Sequence, residues 1–201
     1  GSLAVPRAIW DAAVRQCGGV EVEEMHELID TLKALLYLPP VRTNRVGIAG
    51  GSGGQSVATA DLFAEAGLSV PPLTQKSYDE LASFFSLVGG SYGNPIDTGN
   101  PNRAQMRRIM EILERDENID TLVLLITMRF ITMGFSTTEH VDPSIDMMAD
   151  IRQRTTKSVM AVVSYSTPEG MRRTRDIIRR FQERGIPAFP SEQRAAFALR
   201  N

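Results

Sequence analysis

The chain has 201 residues, enough for one large domain or one domain with an appendage at roughly 100–200 residues per domain. Its 22 Lys+Arg and 24 Asp+Glu leave a net charge of -2, so no bulk charge draws it to nucleic acid or acidic membranes. One cysteine, Cys17, excludes an internal disulfide and a multi-cysteine zinc site, and two histidines, His26 and His140, exclude a histidine-rich metal site.

The longest apolar runs, near 122–128 and 159–163, are too short to cross a bilayer. No basic region followed by an apolar stretch opens the chain, so no signal peptide is visible and a cytoplasmic, reducing location is expected. Without an initiator Met, and with a Gly1-Ser2 start that is either native or left by cloning, the chain reads as a fragment.

In chain order, 6–17 reads as a helix with Pro6 in its first turn and Gly18-Gly19 as its stop. Residues 20–22 are a short strand candidate. Residues 23–38 form a second helix, with Met25, Leu28, Ile29, Leu32 and Leu35 at helical spacing, halted by Pro39-Pro40. Residues 41–44 are a linker. A short apolar strand at 45–49 then runs into Gly50-Gly51-Ser52-Gly53-Gly54, followed by a helix over 56–66. A weak strand at 68–73 is broken by Pro71-Pro72; 77–85 is a short helix, 89–93 a loop, and 94–97 a short strand or turn. A helix spans 103–114. The strongest strand is 119–128, whose uninterrupted apolar run implies burial on both faces, as in parallel sheets. Helix 144–152, buried strand 158–163, helix 168–184, strand 186–189 and helix 191–200 complete the series.

Strand alternating with helix predicts right-handed βαβ units. The expected fold is α/β, a flavodoxin-like doubly wound parallel sheet over 44–201, with 1–43 as an N-terminal helical appendage.

The turn Gly50-Gly51-Ser52-Gly53-Gly54-Gln55-Ser56 sits where the first strand meets its helix. Glycines allow positive φ and bring backbone N–H groups close to a ligand, and the helix points its positive end at the same spot. That is the physics of a phosphate cradle, at the sheet edge where open α/β folds bind ligands. It is not a Walker A loop, because no Gly-Lys-Ser/Thr follows, and it fits a dinucleotide fingerprint only loosely. A tight turn that binds nothing is the plain alternative; an FMN site is disfavoured because no aromatic flanks the glycines.

Here the residues resemble a family. Arg45-Val46-Gly47-Ile48-Ala49-Gly50-Gly51-Ser52-Gly53-Gly54-Gln55-Ser56-Val57-Ala58-Thr59-Ala60-Asp61 is similar to the Arg-Val-Ala-Ile-Val-Thr-Asn-Ala-Gly-Gly-Pro-Gly-Val-Leu-Ala-Ala-Asp run of NDP-forming acyl-CoA synthetases, relatives of succinyl-CoA synthetase. Asn94-Pro95-Ile96-Asp97 resembles that family's Asn-Pro-Val-Asp, and Asn118-Ile119-Asp120 its Asn-Val-Asp. Gly1-Ser2-Leu3-Ala4 is similar to the stretch after the family's phosphorylated histidine.

The resemblance implies that 1–43 is the tail of one flavodoxin-like domain and 44–201 the whole of the next. It implies an acid–thiol ligase that converts acyl-CoA, NDP and phosphate to acid, CoA and NTP through a phosphohistidine. The carrier histidine would lie upstream of Gly1, so this chain holds no catalytic residue and is expected to be inactive alone. The turn Gly50, Gly51, Ser52, Gly53, Gly54, Gln55 and Ser56 would dock the phosphohistidine, while Asn94, Asp97, Arg129 and Gly134 would form a substrate loop. CoA and ADP/ATP or GDP/GTP with Mg2+ would be bound mainly by CoA-binding and ATP-grasp domains or subunits outside this chain, its expected partners together with phosphate; a homodimer stays open. The departures are Gly50-Gly51-Ser52 for Thr-Asn-Ala and Gln55-Ser56 for Pro-Gly. They leave room for a second reading, a non-catalytic ligand-binding or assembly module of the same fold.

Outside the turn, His140 and His26 read as solvated or structural and Cys17 as unreactive. The arginines Arg172, Arg173, Arg175, Arg179, Arg180 and Arg184 crowd one predicted helix, whose expected role is a solvated face or contacts with acidic neighbours.

Overall fold

A computed structural model describes residues 6–41, 43–51, 53–84, 91–98, 102–128 and 141–201. Ser52, Arg129, Gly134 and His140, all singled out above, lie outside the described residues. The elements are α1 (Arg7–Gln16), α2 (Met25–Tyr37), β1 (Val46–Gly50), α3 (Gly53–Glu65), α4 (Gln75–Phe84), α5 (Arg103–Arg115), β2 (Thr121–Thr127), α6 (Asp142–Arg154), β3 (Ser158–Ser164), α7 (Pro168–Glu183), β4 (Ala188–Phe189) and α8 (Glu192–Arg200).

The four strands form one parallel sheet in the order β1-β2-β3-β4. Alternation along the strands supplies two cores. Leu122, Leu124, Val159, Ala161 and Val163 face a layer carrying Ile109, Leu113, Met148, Ile177 and Phe181 from α5, α6 and α7. Val123, Leu125, Met160 and Val162 face Ala34 of α2, Phe63 of α3 and Ala195 and Leu199 of α8. Burial on both faces is why β2 and β3 carry unbroken apolar runs.

The expected strand at 20–22 does not form. Val20 is exposed and Glu21 instead pairs with Arg7 at 3.0 Å, and among the described residues no neighbouring strand lies there to satisfy the backbone. The weak strand at 68–73 shrinks to one parallel bridge, Ser69 beside Arg45, because Pro71 and Pro72 have no N–H to donate. Residues 94–97 likewise contribute one bridge, Ile96 beside Ala49.

The outer side of β1 is therefore composite. Val46 N–H donates to the Ser69 carbonyl (2.7 Å), Ile48 N–H to Asn94 Oδ1 (2.9 Å), and Ile96 N–H to the Ile48 carbonyl (2.8 Å). Asn94 Nδ2 donates to the carbonyls of Val46 (2.7 Å) and Pro71 (3.0 Å). Counting the Ser69 segment as the second strand gives the spatial order 2-1-3-4-5 of a doubly wound sheet, with the switch point between β1 and β2.

α2 is fixed to α8 by a buried carboxylate. Asp30 accepts from Arg194 Nε (2.5 Å) and Nη2 (3.0 Å), and Lys33 Nζ lies 3.6 Å away, donating to the Ala188 carbonyl at 3.0 Å. Burial holds the Lys33 ammonium below the ordinary lysine value, with Asp30 opposing that drift.

Candidate functional site

β1 ends at the switch point in a conformation that only glycine tolerates. Gly50 has φ +98° and a Cβ there would meet the Leu125 carbonyl oxygen at 2.3 Å; Gly51 has φ +80°. This reversal sends the chain directly into α3, whose first turn (Gly53, Gly54, Gln55) presents its N–H groups at the carboxyl rim of the sheet.

Gln55 crosses that rim. Its Oε1 accepts from Thr127 Oγ1 (2.7 Å), and its Nε2 donates to Ser164 Oγ (3.2 Å) and Glu192 Oε1 (2.7 Å). These are the last residues of β2 and β3 and the first of α8, so one amide lashes α3 to three other elements. The side chain of Gln55 is thus engaged within the fold.

On the other flank of α3 a cavity of about 420 Å³ opens between the helix and residues 91–97. Gly53, Ser56, Val57, Asp61, Asn94 and Asp97 are among its walls. Ser56 is 4 % exposed and its hydroxyl has no hydrogen-bond partner. A buried hydroxyl without a partner is costly unless a ligand or water completes it. Asp97 stands against the start of α3: a Cβ on Gly53 would lie 2.8 Å from its Oδ2. A carboxylate at a helix N-terminus is favoured by the helix dipole.

The structure thus gathers Gly50, Gly51, Gly53, Gly54, Gln55, Ser56, Asn94 and Asp97 at one corner of the rim. Three of the hydrogen-bonding positions of Asn94 are consumed by the backbone of β1 and Pro71, so its amide builds the wall. Sequence reasoning did not single out Thr127, Ser164 and Glu192, which hold Gln55; a polar residue ending each buried apolar strand was the available signal. Among the described residues no cluster of three or more His, Cys, Asp or Glu is placed to hold a metal ion, and no helix is long and apolar enough to cross a membrane.

Besides Lys33, a group of displaced pKa values lies at the opposite, amino rim. Burial alone would raise the Asp116 carboxyl, but hydrogen bonds from Ser77, Asn118 and Thr74 hold it below its ordinary value. Asp120 is held down by its hydrogen bond from Arg45 Nε (2.6 Å) and by one from Thr43. Burial lowers Lys157, which donates to the Asp116 carbonyl at 2.6 Å.

Four of the six arginines on α7 and its C-cap meet acids: Arg173 with Glu169 (2.9 Å), Arg179 with Asp176 (2.6 Å) and Glu183 (2.5 Å), Arg180 with Asp142, and Arg184 with Asp146 (2.7 Å). A stripe so paired offers little free charge to a polyanion. His26 is exposed beside Glu24, at 3.0 Å.

No protein-family profile matches the chain. Its sequence is 26% identical over 203 residues to the alpha subunit of the ADP-forming acetate–CoA ligase II of Pyrococcus furiosus, covering 99% of this chain and 42% of that protein. It is 31% identical over 128 residues to the ADP-forming acetate–CoA ligase I of Archaeoglobus fulgidus, covering 63% of this chain and 18% of that one. Among solved structures, a Pyrococcus horikoshii OT3 protein aligns with a TM-score of 0.77 at 25% identity, over 96% of this chain and 43% of its own. A dinucleotide forming acetyl-coenzyme A synthetase 1 of Ca. Korarchaeum cryptofilum, in complex with phosphate and ADP, aligns with a TM-score of 0.79 over 100% of this chain and 41% of its own, a likeness of fold at 22% identity. The chain spans less than half the length of the curated relatives it matches.

Proposed function

This chain is a relative of the NDP-forming acyl-CoA synthetases, and from that premise we propose that it is one piece of an acid–thiol ligase in which the start of α3 docks a phosphorylated histidine carried by another part of the protein. In this reading acyl-CoA and phosphate exchange to acyl phosphate and CoA, a histidine takes the phosphoryl group and releases the acid, and NDP accepts it to give NTP. The histidine, the CoA site and the nucleotide site belong to other domains or subunits, with residues 1–43 as the tail of a preceding domain and 44–201 as the next. Mg2+ would accompany the nucleotide there; the described residues here offer no metal-holding set.

The observation that carries the docking role is the partnerless Ser56 hydroxyl at 4 % exposure, beside the open first turn of α3. Bare N–H groups and one hydroxyl donor suit a phosphoryl oxygen, and each preorganised donor contributes about 100-fold or more where charge develops. The exposed apolar side chains of α1 and α2 support a larger assembly. Trp10, Met25, Ile29, Leu35 and Leu36 are each more than half exposed, and a set of that size marks a surface another domain covers.

Titrating the chain with N-phosphoimidazole tests the docking role by amide NMR. Shifts concentrated at Gly53, Gly54, Gln55 and Ser56 are expected, with about tenfold weaker binding in Ser56→Ala, one hydrogen bond to a charged group. No response at these amides sinks the reading. The second reading, a non-catalytic module, is favoured by one feature: Gln55, where the resembling run has proline, is fully engaged with Thr127, Ser164 and Glu192.

A further inference from the structure

α2 is turned inside out. Its inward side carries Asp30, Thr31 and Ala34, all buried, while Met25, Ile29, Leu32 and Leu36 lie on the solvent side. Met25 and Leu36, at its two ends, are 71% and 78% exposed. The helix cannot roll to hide this stripe. Asp30 is held by Arg194 Nε and Nη2, and Thr31 Oγ1 accepts from Asn201 Nδ2 at 3.0 Å. Rolling would leave the buried Asp30 carboxylate unpaired. The steps along the stripe are four, three and four residues, the seam of a two-helix contact. That series reads the same in both directions.

The charges at the two ends are opposite. Glu23 and Glu24 are exposed at the N-terminal end. At the other end Arg152 donates to the Tyr37 carbonyl at 3.2 Å. Among the described residues no acid pairs with Arg152 and no base with Glu23, and Glu24 has only His26 beside it. Next to that C-terminal end a cavity of about 580 Å³ opens between Leu35, Leu38, Pro40, Leu68 and Leu199. Leu35 joins it to the exposed face of the helix.

We propose that this stripe is a dimer face, on which α2 of a second copy lies antiparallel, with the two-fold axis between Ile29 and Leu32. A two-fold contact needs a surface complementary to itself, which a palindromic stripe with opposite charges at its ends supplies. In this register Ile29 faces the partner's Leu32, and Met25 faces the partner's Leu36. The flexible thioether of Met25 thereby arrives at the mouth of the second copy's cavity, an irregular apolar gap that methionine fills well. Glu24 comes opposite the partner's Tyr37, and so within reach of the partner's Arg152, once at each end of the contact. A parallel arrangement would set acid against acid. The inference is independent of the docking reading, because α2 contributes nothing to the α3 turn. A 13-residue helix gives a seam about 20 Å long, at the small end of stable interfaces, so the dimer should form and dissolve with concentration.

Sedimentation velocity of the chain over about a hundredfold range of concentration tests this. Wild type is expected to pass from monomer to dimer. Leu32→Glu places two like charges beside the axis and should raise the dimer Kd by about 100-fold or more. Leu36→Glu should weaken the dimer as well. Both side chains are exposed in the monomer, so the urea midpoint should hold in each variant. Glu24→Arg and Arg152→Glu should each raise the Kd by about tenfold, and the two combined in one chain should restore it. A chain that stays monomeric throughout overturns the proposal and assigns the stripe to a different domain. A dimer indifferent to both glutamates overturns it too, since its contact lies elsewhere. Failure of the combined charge swap to rescue overturns the antiparallel pairing on which the proposal stands.

Discussion

The two rims of the sheet are built on opposite principles. At the amino rim the two carboxylates are matched: Asp116 receives the Thr74 N–H and hydroxyl (both 2.9 Å) and the Asn118 N–H (2.9 Å), and Asp120 binds Arg45 and Thr43. At the carboxyl rim the chain places glycines, a carboxylate against a helix start and a hydroxyl with no partner. One rim is optimised for stability; the other leaves donors available, as expected where an open α/β sheet meets its ligand.

The largest effect that could break this contrast is at Gly50. Gly50→Ala forces a Cβ against a backbone carbonyl that cannot give way, at positive φ. We expect a loss of more than about 3 kcal/mol, measured as the midpoint of urea unfolding; a near-neutral result would mean the turn is not held as described.

Next comes Asp116→Ala, which strips acceptors from two amides and a hydroxyl and should cost about 2 kcal/mol, with no change in phosphate response at α3. Acid sharpens the same point. Asp116 and Asp120 titrate below their ordinary value of 3.8 in the folded state. Their stabilisation is complete above that value and is lost as pH falls through the lower folded values. Unfolding free energy should therefore drop steeply below about pH 4, and Asp116→Asn should flatten the drop; an unchanged slope would remove these carboxylates from the account.

The smallest effect is the most discriminating. Gly54 has open space around its Cα position and no positive φ, so Gly54→Ala should stabilise α3 by about 0.5 kcal/mol. If the first turn receives a phosphoryl group, the added methyl should also weaken N-phosphoimidazole binding. Stability and binding moving in opposite directions would mark the carboxyl rim as the functional one.

Much of this was legible in the sequence, for definable reasons. Residues 119–128 and 158–163 announce β2 and β3 because a strand covered on both faces carries no polar interruption. The position of Gly50 and Gly51 marked the strand-to-helix reversal because no other residue adopts that backbone easily. What escaped were contacts between distant segments. Gln55 reaches Thr127, Ser164 and Glu192 across separations of 72, 109 and 137 residues. No local periodicity encodes such a bridge. Asn94 acts as a piece of strand through its side chain, which a rule written for backbones cannot register. Residues 20–22 read as a strand from their valines, but a strand requires a neighbour, and none lies beside them among the described residues.

The stitched flank of β1 has a consequence for how the molecule behaves at high concentration. Its ladder positions are already filled by Ser69, Ile96 and an amide side chain drawn from two separate segments. The far flank ends in β4, only two residues long. Among the described residues neither flank offers a long continuous row of free backbone groups on which a second molecule could lay a strand. The cover on the β1 flank thus rests in good part on a single asparagine, Asn94, whose side chain fills ladder positions that a strand would otherwise fill.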